Sequence, residues 1–300
     1  MTKSAFAVNA EYAALRTFCA LVNLIPYPVA MSLARGLGWI AFNVFRYRHA
    51  RTLSRIHSVF PEKSRQECVK IATQSLQNIF EIGVEMMRAP KLTRAWMDRH
   101  VKDGQFYKDK LQSFVDEGKG VVIMVPHSGN WYMAAWSMAK YGLPLFAIAA
   151  RQRNPKLNAW MHRQYGDIEV LDREYRDTLI KIHKKLEAGR AFAILPDLRV
   201  RKRDVEVDFL GGKANVSHAG AMFAVSGNCP IVIAMMRREH GQHVFDYLAT
   251  LRPDSNATDK KAEAARLTRE ALSILDGNIR KYPGEWYWFN KRWILEPPVE

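Results

Sequence analysis

The 300-residue sequence holds only three cysteines, and they stand far apart at Cys19, Cys68 and Cys229. With no Cys-x-x-Cys pair and no closely spaced even set, neither a disulfide framework nor a thiolate metal cage can be read, and a reducing, cytosol-facing location is expected. The phosphate loop GxxxxGK(S/T), the dinucleotide fingerprint GxGxxG, the nucleophile elbow GxSxG and the zinc motif HExxH are all missing. A nucleotide fold, a serine hydrolase of that type and a metal site therefore have no positive support, and neither a metal nor a bound cofactor is expected. Internal repeats, low-complexity tracts and Gly/Ser linkers are absent too, so nothing forces a split of a length that permits one large domain or two smaller ones. The opening MTKSAFAVNAEYAALR lacks the charged start, long apolar run and small-residue cleavage site of a signal peptide, and the N-terminus is expected to be kept.

Acidic residues are the scarcer charge. Against 45 Lys and Arg stand 30 Asp and Glu, a net charge of +15, which suits an acidic partner such as nucleic acid, anionic lipid or an acidic carrier protein. No RNA-recognition, helix-turn-helix or zinc-finger pattern accompanies the charge, so nucleic acid is not the expected partner.

A membrane-spanning run is lacking as well. The most lipid-like stretch, FCALVNLIPYPVAMSLARGLGWIAFNVFRYRHAR, is broken by Pro26 and Pro28 and interrupted by Arg35, whereas a spanning helix needs roughly 20 predominantly apolar residues. It reads as two helical pieces, the second ending in Arg46, Arg48, Arg51 and Arg55, lying in a membrane interface with the arginines at anionic head groups. The alternative is a hydrophobic hairpin packed on the protein's own core.

What is present is a regular alternation. From Lys63 to Arg88 apolar positions recur at three and four, an amphipathic helix that Pro90 ends. Short apolar runs then alternate with helical segments: VVIMV before a helix over 130–141, LFAIAA before 155–165, IEVL before 174–188, and AFAILP before an irregular basic stretch. VEVDFLG and IVIAMMRRE read as two more strands around a helix near 217–226, HVFDYLAT as a third, and a long helix spans 259–281. Continuous apolar strands separated by helices predict an α/β fold with a central, mostly parallel sheet flanked by helices. The expected organisation is an N-terminal interfacial helical extension over residues 1–62 and a single compact α/β unit over 63–300.

His127 follows the strand Val121 to Val125 directly, and Ser128-Gly129-Asn130 is a helix-start sequence. Ser or Asn can cap the helix there, and Gly lets a ligand approach the backbone. The positive end of a helix suits a neutral general base, and the same N–H groups can hold a developing oxyanion. A structural histidine capping a turn is the competing reading. A histidine base needs an acceptor to fix its tautomer, and the position five residues on offers Tyr132, a phenol. Asp197, at the C-terminal end of another apolar strand, stands at the sheet edge where sites assemble; its competing roles are a turn residue after Pro196 or an ion pair with Arg199 or Arg201.

VPHSGNWYMAAWSMAKYGLP resembles the segment usually written HFGNWE in the bacterial lipid A late acyltransferases and the related mycobacterial phosphatidylinositol mannoside acyltransferases. The resemblance continues through RQRNPKLNAWMHRQYG, LEAGRAFAILPDLRVRKRDVEVDFLGGKANVSHAGAMFAVSGNCPIV, the closing YPGEWYWFNKRW and the earlier FPEKSRQECVKIATQSLQNIFEIGVE. It implies a glycerolipid-acyltransferase-like fold and a peripheral or monotopic enzyme at the cytoplasmic face of the bacterial inner membrane. Such an enzyme moves an acyl chain from acyl carrier protein or coenzyme A to a hydroxyl of lipid A or another glycolipid. The family signature is His, four residues, then Asp or Glu; here the acid has become Tyr132. The resemblance implies His127 as base with Asp197 orienting it, an oxyanion held by N–H groups near Gly129 and Asn130, and Arg151 and Arg163 as contacts for phosphates of the acceptor or donor; by charge, Arg199, Arg201, Lys202 and Arg203 form a basic loop that suits an acidic carrier protein or membrane phosphates. A relative that binds an acyl glycolipid without transferring it is the alternative that Tyr132 raises.

Overall fold

The computed structural model describes residues 4–296. The outermost residues of the two expected segments, 1–3 and 297–300, lie outside the described residues. Helix α1, Ala5–Leu24, starts on a Ser4 cap, and α2, Tyr27–Asn43, starts at the Pro26/Pro28 break. A proline in a first helical turn gives up an N–H that has no partner in the helix anyway. Helix α3 is His49–Val59 and α4 is Arg65–Arg88, opened by a reciprocal Ser64–Glu67 capping box and followed by a short turn holding Pro90.

The next elements are α5 (Arg94–His100), β1 (Val101–Lys102), α6 (Gly104–Asp116), β2 (Val121–Met124) and α7 (Trp131–Lys140). They continue with β3 (Leu145–Ala149), α8 (Pro155–Tyr165), β4 (Glu169–Asp172), α9 (Thr178–Glu187) and β5 (Ala191–Ile194). After these come β6 (Val205–Phe209), β7 (Gly212–Val216), α10 (Ala219–Gly227), β8 (Ile231–Glu239), β9 (Gln242–Leu251) and α11 (Lys260–Lys281).

Seven strands form one sheet in the order β1, β9, β8, β2, β5, β3, β4. All neighbours in it pair parallel except β8 with β9. The α/β, mostly parallel sheet flanked by helices is thus as the alternation predicts. Successive side chains leave a strand on opposite faces, so Val121 and Ile123 join Leu111 and Met133 in a core under α6 and α7, while Val122 and Met124 join Ala221 and Leu275 under α10 and α11.

Four details differ from the sequence reading. Strand β6 does not enter the main sheet; it pairs antiparallel with β7 in a separate hairpin. Its side chains alternate buried and exposed, Val205, Val207 and Phe209 inward against Glu206 and Asp208 outward, the mark of a half-covered antiparallel strand. Helix α9 begins at Thr178, after a turn over 173–177. Residues 94–116, unassigned by pattern, fold into α5, the two-residue β1 and α6.

The fourth difference concerns the basic cluster. Arg55 is buried and donates to the carbonyls of Trp288 and Asn290, at 3.1 and 2.7 Å, and Arg48 donates to that of Phe289. Two of the four arginines therefore hold the C-terminal aromatic segment against α3 instead of reaching outward.

The N-terminal helices are docked on α4. Arg88 donates to the Val22 and Ile25 carbonyls at 2.8 and 2.7 Å, satisfying the C-terminal end of α1. Helix α2 presents Ala30, Ala34 and Gly38 to the protein; a Cβ on Gly38 would come within 2.7 Å of the Gln77 backbone. The large residues Leu33, Leu37, Trp39 and Ile40 stay exposed on its other side.

Candidate active site

Strands β2 and β5 pair parallel with Met124 opposite Ile194. His127 and Asp197 each lie three residues beyond that pair, so equal offsets from a fixed register bring them together at the C-terminal edge of the sheet. The Asp197 carboxylate accepts twice from His127, once from the ring at Nδ1 and once from its own backbone N–H, both at 2.8 Å. A third donor is the Trp286 indole N–H, also at 2.8 Å. A carboxylate can only accept, so the imidazole proton sits on Nδ1 and Nε2 keeps its lone pair. Burial alone would raise the Asp197 carboxyl; its pairing with His127 and the hydrogen bonds converging from His127 and Trp286 outweigh that and hold the group below the usual carboxylate range.

The His127 loop is framed by the C-terminal segment. Ser128 bridges to Trp286, Gly129 N–H donates to the Glu285 carbonyl at 2.9 Å, and Tyr287 N–H donates to the His127 carbonyl at 2.9 Å. Gly129 adopts φ +54°, and a Cβ there would lie 1.7 Å from the Met236 carbonyl oxygen. The close backbone approach that requires this glycine is therefore to β8, not to a ligand, and its N–H is spent on Glu285. The N–H groups of Trp131 and Tyr132, in the first turn of α7, have no partner within the helix; Met133 N–H is capped by Asn130 Oδ1 at 2.9 Å.

Asn130 is fully buried and acts inward: its Nδ2 donates to Glu85 at 2.5 Å. Glu85, on α4, also accepts from Tyr27 at 2.6 Å, from Arg238, and pairs with His243 at 2.8 Å. Burial alone would raise the Glu85 carboxyl, but Arg238 and His243 overcome it and hold it far below its ordinary range, while burial lowers His243. These residues tie α4, β8 and β9 to the first turn of α7. Sequence reading singled out Asn130, as a contact near the oxyanion, and missed Glu85, Arg238, His243 and Trp286. The available signal was a polar stripe at helical spacing on α4, Gln74, Asn78, Glu81 and Glu85, of which the last three are buried in the fold.

Tyr132 takes no part in orienting His127. It stacks between Trp136 and Tyr165, with ring centroids 5.7 and 6.4 Å away, and burial raises its phenol. Its ring forms part of the wall of a cavity of about 230 Å³ between the sheet and α7, lined almost wholly by apolar side chains and reaching His127.

The predicted arginines are dispersed. Arg151 is half exposed beside Asp172 and Tyr175. Arg163 donates to the Tyr12 hydroxyl at 3.2 Å and lines a separate small cavity by α7. Arg199 pairs with Glu296 at 3.5 Å and is mostly buried. Among the described residues, no three His, Cys, Asp or Glu side chains gather to hold a metal ion.

A buried acid, an imidazole with a free Nε2, helix-start N–H groups and an apolar cavity make a site fit for proton abstraction and acyl transfer. The family model of the bacterial lipid A biosynthesis acyltransferases matches residues 6–294. A phosphatidylinositol mannoside acyltransferase of Mycolicibacterium smegmatis is 26% identical over 196 residues, which is 63% of this chain and 61% of that protein. A lipid A biosynthesis acyltransferase of Haemophilus influenzae is 24% identical, covering 90% of this chain and 83% of the relative. A lipid A biosynthesis lauroyltransferase of Escherichia coli is 23% identical, covering 92% and 89%.

Proposed function

The chain belongs to the bacterial lipid A biosynthesis acyltransferase family, and from that premise we propose that it transfers a fatty acyl group from an acyl carrier protein or coenzyme A thioester to a hydroxyl of lipid A or another glycolipid. One observation carries the reading: the 2.8 Å bond between His127 Nδ1 and the buried Asp197, at the mouth of an apolar cavity.

His127 Nε2 takes the proton of the acceptor hydroxyl as its oxygen attacks the thioester carbonyl carbon. Asp197 fixes the tautomer and stabilises the imidazolium while it lasts. The oxyanion forms at the positive start of α7, where the Trp131 and Tyr132 N–H groups are the donors. Collapse breaks the carbon–sulfur bond, and the leaving thiolate recovers the proton from His127. The acyl chain occupies the cavity under α7, with Tyr132 as wall rather than acid.

The outward face of α2 supports attachment to lipid. Ala30, Met31, Ala34, Gly38 and Phe42 pack on the protein while Leu33, Leu37, Trp39 and Ile40 face out, an arrangement that lets hydrocarbon cover what water leaves costly. No described helix is long and apolar enough to cross a membrane. The proposed location is the cytoplasmic face of the bacterial inner membrane, peripheral or monotopic, with residues 1–62 as the interfacial extension of a compact catalytic unit over 63–300 and the +15 charge drawing it to anionic lipid.

The test is turnover of acyl carrier protein and coenzyme A thioesters by purified variants. His127→Ala is expected to lower kcat on the order of 10²–10⁴-fold, and Asp197→Asn by a similar order because an amide supports the wrong tautomer. Unchanged turnover in His127→Ala would sink the mechanism. A parent that binds acylated ligands but turns over none, across donors and acceptors, would favour a lipid-binding relative.

A further inference from the structure

The strand ends near His127 open onto two apolar cavities, one on each face of the sheet. Ile123 and Val125 line the cavity under α7, whereas Met124, pointing the other way, lines a second of about 440 Å³ covered by α9 and α10. The two share Ile148, Ala149, Ile194, Leu195 and His127. The imidazole thus stands where two hydrocarbon-lined spaces meet.

The second cavity is apolar in effect as well as in composition. The hydroxyls of Thr178 and Thr268 donate to the backbone carbonyls of Asp172 and Ala264, each at 2.7 Å, and that of Ser217 accepts from Ala219 N–H. These polar groups are engaged locally and do not form a sugar-binding surface. Its rim is greasy and open: Tyr175, Leu179 and Leu198 line it while 50%, 60% and 36% exposed. Adjacent exposed apolar side chains around a cavity mouth suit a ligand that arrives from a lipid phase. Arg173 at the same rim is 63% exposed and pairs with Glu174 at 3.7 Å, a surface pair that an anionic head group can share.

We infer that this second cavity receives a hydrocarbon tail of the acceptor and so presents the acceptor's hydroxyl to His127 from the sheet face opposite the donor's acyl chain. The assignment rests on the acyl-transfer reading above, in which the cavity under α7 holds the donor chain beside the helix start that binds its carbonyl. It selects as acceptor a lipid already bearing at least one tail, and it has donor and acceptor bound together before the chemistry.

The experiment uses the full chain and two probes below their micellar concentrations: S-dodecyl-coenzyme A, a thioether that cannot transfer its chain, and dodecyl maltoside, a sugar on a single tail. Calorimetric titration of the parent should show both bound at once, each with an affinity changed less than about twofold by the other. Ala219→Phe, filling the second cavity, should weaken dodecyl maltoside by about tenfold or more and leave the thioether unaffected; Ala135→Phe, filling the first, should do the reverse. Leu198→Trp at the rim gives the Ala219→Phe result by a route that leaves the interior intact. Mutual displacement of the probes in the parent, or equal weakening of both by Ala219→Phe and Leu198→Trp, overturns the assignment. If both probes bind together and the variants separate them, yet no thioester is turned over with any acceptor, the two-cavity assignment stands and the catalytic reading fails.

Discussion

At the scale of single residues, the site depends on how a buried carboxylate is satisfied. Asp197 holds three N–H donors, and removing one leaves an acceptor lone pair buried without a partner, at a cost of about 1–3 kcal/mol. Trp286→Phe is therefore expected to lower stability by that order. It also removes a donor that favours the ionised acid, so the Asp197 carboxyl rises toward its ordinary range. A thermal unfolding curve reads the first effect and an NMR titration of the Asp197 carboxyl carbon the second; a carboxyl that titrates as in the parent would show that the indole N–H does not hold the acid ionised. Tyr132 gives the complementary case. A carboxylate put into an aromatic wall is desolvated without a cation to pair with, so Tyr132→Glu is expected to lower kcat/KM by about tenfold or more and to lower Tm, whereas Tyr132→Phe stays within about threefold. A rate gain in Tyr132→Glu would mean that an acid at position 132 reaches His127 and that the phenol is a handicap.

At the scale of elements, the pairing of His127 with Asp197 was legible because strand ends are legible. VVIMV and AFAILP are unbroken apolar runs, and two parallel neighbours in register carry whatever follows them to the same edge. What could not be read was everything supplied by elements whose position the local pattern does not encode. Glu85 looks like a solvated charge on a helix until β8 brings Arg238 and β9 brings His243 against it. Glu285 and Trp286 belong to a segment with almost no regular structure, docked by Arg48, Arg55, Ser75 and Asn78 through hydrogen bonds to its carbonyls. The two-residue β1 and the β6–β7 hairpin escaped for a related reason: a strand that short has no period to detect, and a half-covered strand looks like a sheet strand until its partner is found.

Glu285 also yields a test of this docked segment. Burial pushes its carboxyl up from an ordinary 4.5 to about 7, with Gln74 and Asn78 as neutral donors. A carboxyl raised in the folded state stabilises the fold while it is protonated. That contribution is full below about pH 4.5 and is lost as pH rises through about 7, a change of about 3 kcal/mol. Glu285→Gln keeps an uncharged amide there, so the variant is expected to gain stability relative to the parent progressively from pH 4.5 to 7. Denaturant midpoints of both proteins across that range check it; parallel pH profiles would show that the carboxyl is not buried neutral.

At the scale of the whole molecule, attachment to lipid should depend on the outward face of α2. Burying one large aliphatic side chain contributes about 1.5–3 kcal/mol, so Leu33→Glu with Leu37→Glu is expected to weaken binding to phosphatidylglycerol vesicles by well over about tenfold. The small-residue face that packs on α4 is untouched, so the melting curve should stay close to that of the parent. Raising salt should weaken the parent too, since part of the attraction is electrostatic and screened. Co-sedimentation that is unchanged in the double variant would return α2 to the role of a covering helix.

The threading of the C-terminal segment through the site also imposes an order of events during synthesis. Asn43 ends α2, the helix proposed to meet lipid, and Trp286, which completes the Asp197 shell, lies 243 residues later. At about 5–20 residues per second on the ribosome, roughly 12–50 s separate the two. On the proposed reading, a nascent chain carries its lipid-binding helices well before Asp197 has its third donor, and a chain stopped before Trp286 would dock on the membrane with the site unfinished.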